Sequence, residues 1–234
     1  MKNPILMLLI ILISLPVFSQ SNDAIYKIGV RQIALDQNNE FLNLTDAEFK
    51  LIEGSPYAND EFMEGSIFQG DELLQKNVLL RYNIFSDEIE IKSSINESNY
   101  SALIKKSGML VKIFNEVYTL IPFEGSDEKG QYFKVLSTGE HLSLYKKSTV
   151  TFTQRTFAKT SYDRDKPAKF TRTDSYFLAT RAGNFVEMPE SKSKVLKLMK
   201  NKEAEVKSYL KTGRINLKDE ADLIKLVKYY NNLL

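Results

Sequence analysis

The chain has 234 residues, 43% of them hydrophobic and 26% charged, with a formal net charge of +2, one histidine and no cysteine. The lack of cysteine excludes disulfides, thiol nucleophiles, cysteine-ligated zinc and a cysteine-linked lipid anchor. A domain of this length must then be held by burial alone, and its hydrophobic fraction is ample for that.

The chain opens MKNPILMLLIILISLPVFSQ. Lys2 supplies a short positive region, an apolar run follows from Ile5 to Leu15, and Pro16 breaks it before Val17-Phe18-Ser19. This layout predicts a secretory signal peptide cleaved after Ser19. The run is well short of the ~20 residues a membrane-spanning helix needs. The expected product is soluble and periplasmic or secreted, with no transmembrane span in the mature chain.

Within residues 20–64, IYKIGVRQIAL suggests a strand, and TDAEFKLI suggests a short helix capped by Thr45 or Asp46. From Gly65 to about Val186 short strands succeed one another: GSIFQ, NVLLRYNIF, YSALI, MLVKIF, EVYTLIPF, QYFKVL, HLSLYKK, TVTFTQRTF, SYFLAT and NFVEM. In NVLLRYNIF, Val78, Leu80, Tyr82 and Ile84 share one face, and Leu79, Arg81, Asn83 and Phe85 share the other. The apolar phase then shifts to Ile89 and Ile91, which places a reversal at Ser86-Asp87. On this reading Asp87 and Glu88 sit at a hairpin tip and Glu90 faces water. Tyr132 to Gly139 and Tyr176 to Gly183 echo each other as Y-F-x5-G, and each glycine is expected to take the positive φ of a tight turn. The polar segment Lys159 to Asp174 reads as a long exposed loop, a place where contact residues gather.

After Pro189 the apolar period changes from two to 3.6: Val195, Leu198 and Met199; Val206, Tyr209 and Leu210; then Leu223, Leu226, Val227 and Tyr230. Gly213 is placed to end one helix and Asp219 to cap the next. The expected fold is mainly β or α+β, an antiparallel hairpin meander (curled sheet or sandwich) followed by three short C-terminal helices. Its divisions are residues 1–19 as signal peptide, 20–190 as β-rich domain and 191–234 as a helical segment packed on it.

Chemistry leaves few openings. His141 is one residue where a zinc site needs further ligands, and no G-x-S-x-G nucleophile motif accompanies it. Asp60-Glu61, Asp87-Glu88-Glu90 and Asp163/Asp165 are candidate carboxylate groups, since a hydrolase acting on polysaccharide or peptide needs only two suitably spaced acids. The D-x-D at 163–165 lacks the glycine and remaining ligands of a calcium loop. No catalytic residue, metal ligand or cofactor is assigned. Residues 191–234 carry 11 lysines and arginines against five acids. That basic segment can coat amphipathic helices or dock on an anionic envelope component. It has no nucleic-acid-binding motif, and an exported protein seldom meets nucleic acid.

Four stretches, PYANDEFMEG at 56–65, LLRYNIFSDEIEI at 79–91, YFKVLSTGEHLSLYKK at 132–147 and DLIKLVKYYNNLL at 222–234, resemble the uncharacterised exported proteins common in Bacteroidota. The resemblance implies an envelope location and the order sheet then helices, with no activity to carry over. It draws attention to Arg81, Tyr82 and Asn83 beside the turn, where an intramolecular bond linking Arg81 and Asn83 is expected to fix the reversal. The reading is a non-enzymatic module that binds an envelope protein, glycan or lipid. Its candidate contact residues are Arg81, Tyr82 and Asn83, the loop Lys159 to Asp174, and Lys192, Lys194, Lys197 and Lys200. The alternative is the carboxylate-dependent hydrolase.

Overall fold

The computed structural model describes residues 30–33 and 46–234, apart from Ser98, Glu124 and Ser161. The expected signal peptide, the flanks of the strand in IYKIGVRQIAL and the Thr45 cap lie outside the described residues. The strands are β1 (Val30–Ile33), β2 (Met63–Gln69), β3 (Glu72–Asn83), β4 (Glu88–Lys92), β5 (Tyr100–Leu103), β6 (Met109–Ile113), β7 (Glu116–Phe123), β8 (Ser126–Ser137), β9 (Leu142–Thr153), β10 (Lys169–Thr180) and β11 (Phe185–Glu187). One turn of helix, α1 (Asp46–Phe49), precedes β2; α2 (Lys192–Leu198), α3 (Glu203–Thr212) and α4 (Glu220–Asn232) close the chain.

The strands form one sheet in the order β1-β5-β4-β3-β2-β6-β7-β8-β9-β10-β11, each neighbouring pair antiparallel. The hairpins expected from the sequence are there, but the chain departs from a simple meander after β5, when β6 pairs with β2. In a flat sheet β5 and β8, six places apart, would be separated by about 29 Å, at ~4.8 Å per strand. Yet Lys105, two residues past β5, donates from Nζ to the Gly130 carbonyl in β8 at 2.7 Å. The sheet is therefore rolled. Its interior is filled by Ile67, Leu80, Tyr82, Ile89, Ile91, Val111 and Tyr132, all nearly inaccessible to solvent.

The roll is not closed by strand pairing. The β8–β9 ladder comprises Lys134–Lys146, Val135–Tyr145 and Ser137–Leu144, whereas β9 stays paired with β10 along its whole length. Two expected strands, HLSLYKK and TVTFTQRTF, are thus parts of one strand, β9. Similarly, the segment expected as a loop from Lys159 to Asp174 is loop only as far as Ala168, because Lys169 already begins β10.

Alternation along β9 lets one face serve two cores. Val150 and Phe152 face the interior of the roll, while Leu142 and Leu144 meet the helices. Between them Lys146 and Ser148 form a polar belt: Lys146 pairs with Glu220 at 2.5 Å and Ser148 donates to Asp174 at 2.6 Å. The second core contains Leu178, Val195, Met199, Val206, Leu210, Leu223, Leu226 and Val227. Helices of seven to thirteen residues are marginal alone, so this apolar stripe is what holds them on the sheet. Asp219 caps α4 as expected, accepting from the Asp222 N–H at 2.9 Å.

The two echoed glycines differ. Gly183 has the positive φ of a turn, +82°, but Gly139 does not. A Cβ on Gly139 would collide with the Asn231 side chain of α4. Asn231 reaches in to accept from the His141 and Leu142 N–H groups and to donate to the Leu142 carbonyl. Gly139 is there for close approach, and the contact ties the last helix to the start of β9.

Candidate functional site

The β3–β4 reversal falls at Ile84 to Asp87, and Asp87 adopts φ 55°, a left-handed conformation that Asp and Asn tolerate better than most residues. Its carboxylate is turned inward, only 18% exposed. It accepts from the Tyr82 hydroxyl at 2.7 Å, Lys105 Nζ at 2.9 Å, Lys147 Nζ at 2.5 Å and the Tyr132 N–H at 3.3 Å. Lys147 also donates to the Tyr132 carbonyl at 3.2 Å. Tyr132 is the β8 residue just beyond the point where pairing with β9 stops. Asp87 and Lys147 therefore take the places of the missing ladder partners. The turn fills the split between β8 and β9, and ion pairs join the roll where strands do not.

Electrostatics fit this role. Burial draws the Lys147 ammonium below its ordinary range, against the pull of Asp87, which favours the charged form. Burial and the adjacent Asp87 charge push the Tyr82 hydroxyl far upward, so it keeps its proton and remains a donor. Every carboxylate contact here is with a donor. The group is built as a pin.

Arg81, Asn83 and Glu90 lie on the other face of the same hairpin. Arg81 donates through Nε and Nη2 to Glu90 Oε2, at 2.9 and 2.6 Å, and through Nη1 to the Asp60 carbonyl at 2.9 Å. Asn83 donates to Glu90 Oε1 at 2.9 Å, while its own Oδ1 accepts from the Ser86 N–H. Arg81 and Asn83 are thus linked through Glu90, and Asn83 secures the turn directly. Glu90 does not face water; it is 1% exposed. The sequence pattern misplaced it because the outer face here is covered by Tyr57, Phe62 and Tyr100, which surround the Arg81 guanidinium at 3.7, 4.3 and 5.6 Å from their ring centres. Burial raises the Glu90 carboxyl above its ordinary range, although Arg81 and Asn83 oppose it.

Tyr82 points the opposite way from Arg81 and Asn83, so the three do not form one surface. They belong to two internal networks sharing a strand. Lys105 and Lys147 were missed in the sequence, and local pattern carried no signal for them, being 18 and 60 residues from Asp87.

Lys192, Lys194, Lys197 and Lys200 are all exposed on or just after α2. Among the described residues none of them has an ion-pair partner. Val195 and Met199 face the second core; Lys194 and Lys197 lie on the outer side of the helix, Lys192 is exposed in its first turn, and Lys200 follows its end. Asp60 is bonded by Ser55, and Asp163 and Asp165 by neighbours in their own loop. Among the described residues no group of three or more His, Asp and Glu is placed to hold a metal ion, and no helix is long and apolar enough to cross a membrane. No protein-family model, curated protein or solved structure matches the chain.

Proposed function

We propose that the protein is a non-enzymatic interaction module of the cell envelope that binds an anionic envelope component through Lys192, Lys194, Lys197 and Lys200. One observation carries the reading. The carboxylates brought into the body of the fold, Asp87 and Glu90, are consumed by internal cations, whereas these four lysines, on and just after one short helix, are all exposed and have no ion-pair partner among the described residues. Such a cluster raises the local concentration of anionic partners and accelerates their encounter. The helix that bears it is fixed by Val195 and Met199, both at 0% exposure, so the charges are presented on a rigid base.

Site-specific photo-crosslinking from position 197 in intact source cells tests the proposal. The expected result is one recurrent envelope component, lost when the other three lysines are reversed to glutamate. Crosslinks no different from those of a control position on an uncharged surface would overturn it.

A further inference from the structure

A second contact surface lies at the opposite end of the β9–β10 hairpin from α2. From Leu142, which packs against the helices, to Thr153 is a run of about 36 Å at ~3.3 Å per residue. Beyond Thr153 and Lys169, the last pair of the ladder, the tip is exposed from 154 to 167 at every described position. It is nonetheless ordered by its own bonds. Thr156 and Lys166 exchange backbone hydrogen bonds at 3.0 and 2.8 Å. Asp165 accepts from the Ala158 N–H and pairs with Arg155, and Asp163 accepts from the Thr160 hydroxyl.

These bonds turn both acids of the tip to internal use. Lys159, Arg164 and Lys166 have no carboxylate partner among the described residues. Beside them stand large apolar side chains in water: Phe157 is 65% exposed and Tyr162 98%. Leu51, 73% exposed, joins them at the base, because Glu53 pairs with the backbone of Ala168 and Phe170. One exposed apolar residue calls for no explanation. Three at one end, interleaved with unpaired cations, form a pattern suited to the interfacial layer of a membrane, where aromatic rings and alkyl groups sit among phosphates and lysine or arginine heads meet them. A polyanionic polymer would satisfy the cations and leave Phe157 and Tyr162 in water, so the pattern favours lipid.

We propose that the tip of the β9–β10 hairpin docks on anionic lipid headgroups, inserting Phe157 and Tyr162 while Lys159, Arg164 and Lys166 meet the phosphates. The proposal goes beyond the α2 reading and does not depend on it.

The chain contains no tryptophan, so a Phe157→Trp variant reports on this position alone. The full chain is titrated with phosphatidylcholine vesicles, with and without phosphatidylglycerol. The expected result is a blue shift of the introduced indole only with the anionic vesicles, and at least tenfold weaker vesicle flotation for Phe157→Ser/Tyr162→Ser at unchanged melting temperature. No shift, an equal shift on neutral vesicles, or undiminished flotation of the double serine variant would overturn it. Flotation lost on reversing the α2 lysines, without any indole shift, would refute the tip and leave the α2 reading standing. An indole shift insensitive to that reversal would support the tip by itself.

Discussion

Replacing Asp87 should unpin the roll. Asp87→Asn preserves the left-handed turn and one oxygen acceptor, but it deletes the charge that Lys105 and Lys147 share. Those two side chains are 19% and 8% exposed, so neither ammonium regains full hydration in place. Removing one member of a buried ion pair costs about 3–5 kcal/mol. The surviving acceptor and partial access of water put Asp87→Asn near the lower end, about 3 kcal/mol. Asp87→Ala adds about 1–2 kcal/mol for an alanine held at positive φ, and it orphans the Tyr82 hydroxyl and the Tyr132 N–H. In a domain of this size each kcal/mol lowers the melting temperature by about 2–4 °C, so Asp87→Asn should lose roughly 6–12 °C. Urea unfolding followed by far-ultraviolet circular dichroism gives the free energy directly, with an unchanged slope showing that the same surface is exposed. Adding Lys147→Met removes a stranded cation beside the Phe133 ring, so the double variant should be more stable than Asp87→Asn alone. A loss under about 1 kcal/mol for Asp87→Asn, within the range of exposed ion pairs, would refute the pinning argument.

Arg81→Ala leaves Glu90 buried without its counter-charge and should cost about 3–5 kcal/mol by the same reasoning; an unchanged melting temperature would return Arg81 to the list of binding residues. Gly139→Ala forces Asn231 aside and should destabilise by about 1–3 kcal/mol, as overpacking does, whereas Gly139→Ala combined with Asn231→Ala should show a favourable coupling in a double-mutant cycle. The raised carboxyl of Glu90 means that the folded chain holds this proton more tightly than the unfolded one. Its contribution is therefore full below the ordinary value of 4.5 and is lost as pH rises through the folded value. Glu116 and Asp174 run the other way: burial works against them, but bonds from Lys134 and Tyr118, and from Ser148 and Arg172, hold them low, so their contributions vanish as pH falls. Relative to Glu90→Gln, the wild type should accordingly gain stability between neutral pH and pH 4.5; urea midpoints at several pH values check the sign, and a difference that shrinks on acidification would contradict it.

Local pattern carried the strands and turns but stopped where distant segments meet. Val78, Leu80, Tyr82 and Ile84 alternate and are buried together, and EVYTLIPF coincides with β7. The phase slip locates the reversal because the turn has four residues, an even number, so that Tyr82 pairs with Ile89 and the inward set passes from even to odd positions. Glu90 escaped because its burial depends on Tyr57, Phe62 and Tyr100 covering a face that polar residues alone would mark as wet. Lys146, Lys147 and Ser148 interrupt the apolar alternation of β9, so by pattern alone it divides into two strands. Those residues mark the polar belt between the two cores and the seam of the roll, so the interruption was architecture and not a turn. Strand order depends on where β6 docks after the crossover, and no residue near Met109 announces β2 as its neighbour. Among the candidate contacts, helical spacing places Lys194 and Lys197 outside once Val195 and Met199 face inward, whereas Lys192, three residues before Val195, is exposed because it opens the helix.

Whether those lysines are the contact surface is tested by retention on purified envelope from the source cells, comparing wild type with Lys192→Glu/Lys194→Glu/Lys197→Glu/Lys200→Glu over a range of salt. Near an anionic surface each lysine is worth about 1 kcal/mol, and each 1.4 kcal/mol is tenfold in affinity. Retention should fall with salt and drop at least about tenfold in the reversed variant, with its melting temperature unchanged. Equal retention of the two proteins at low salt would contradict it.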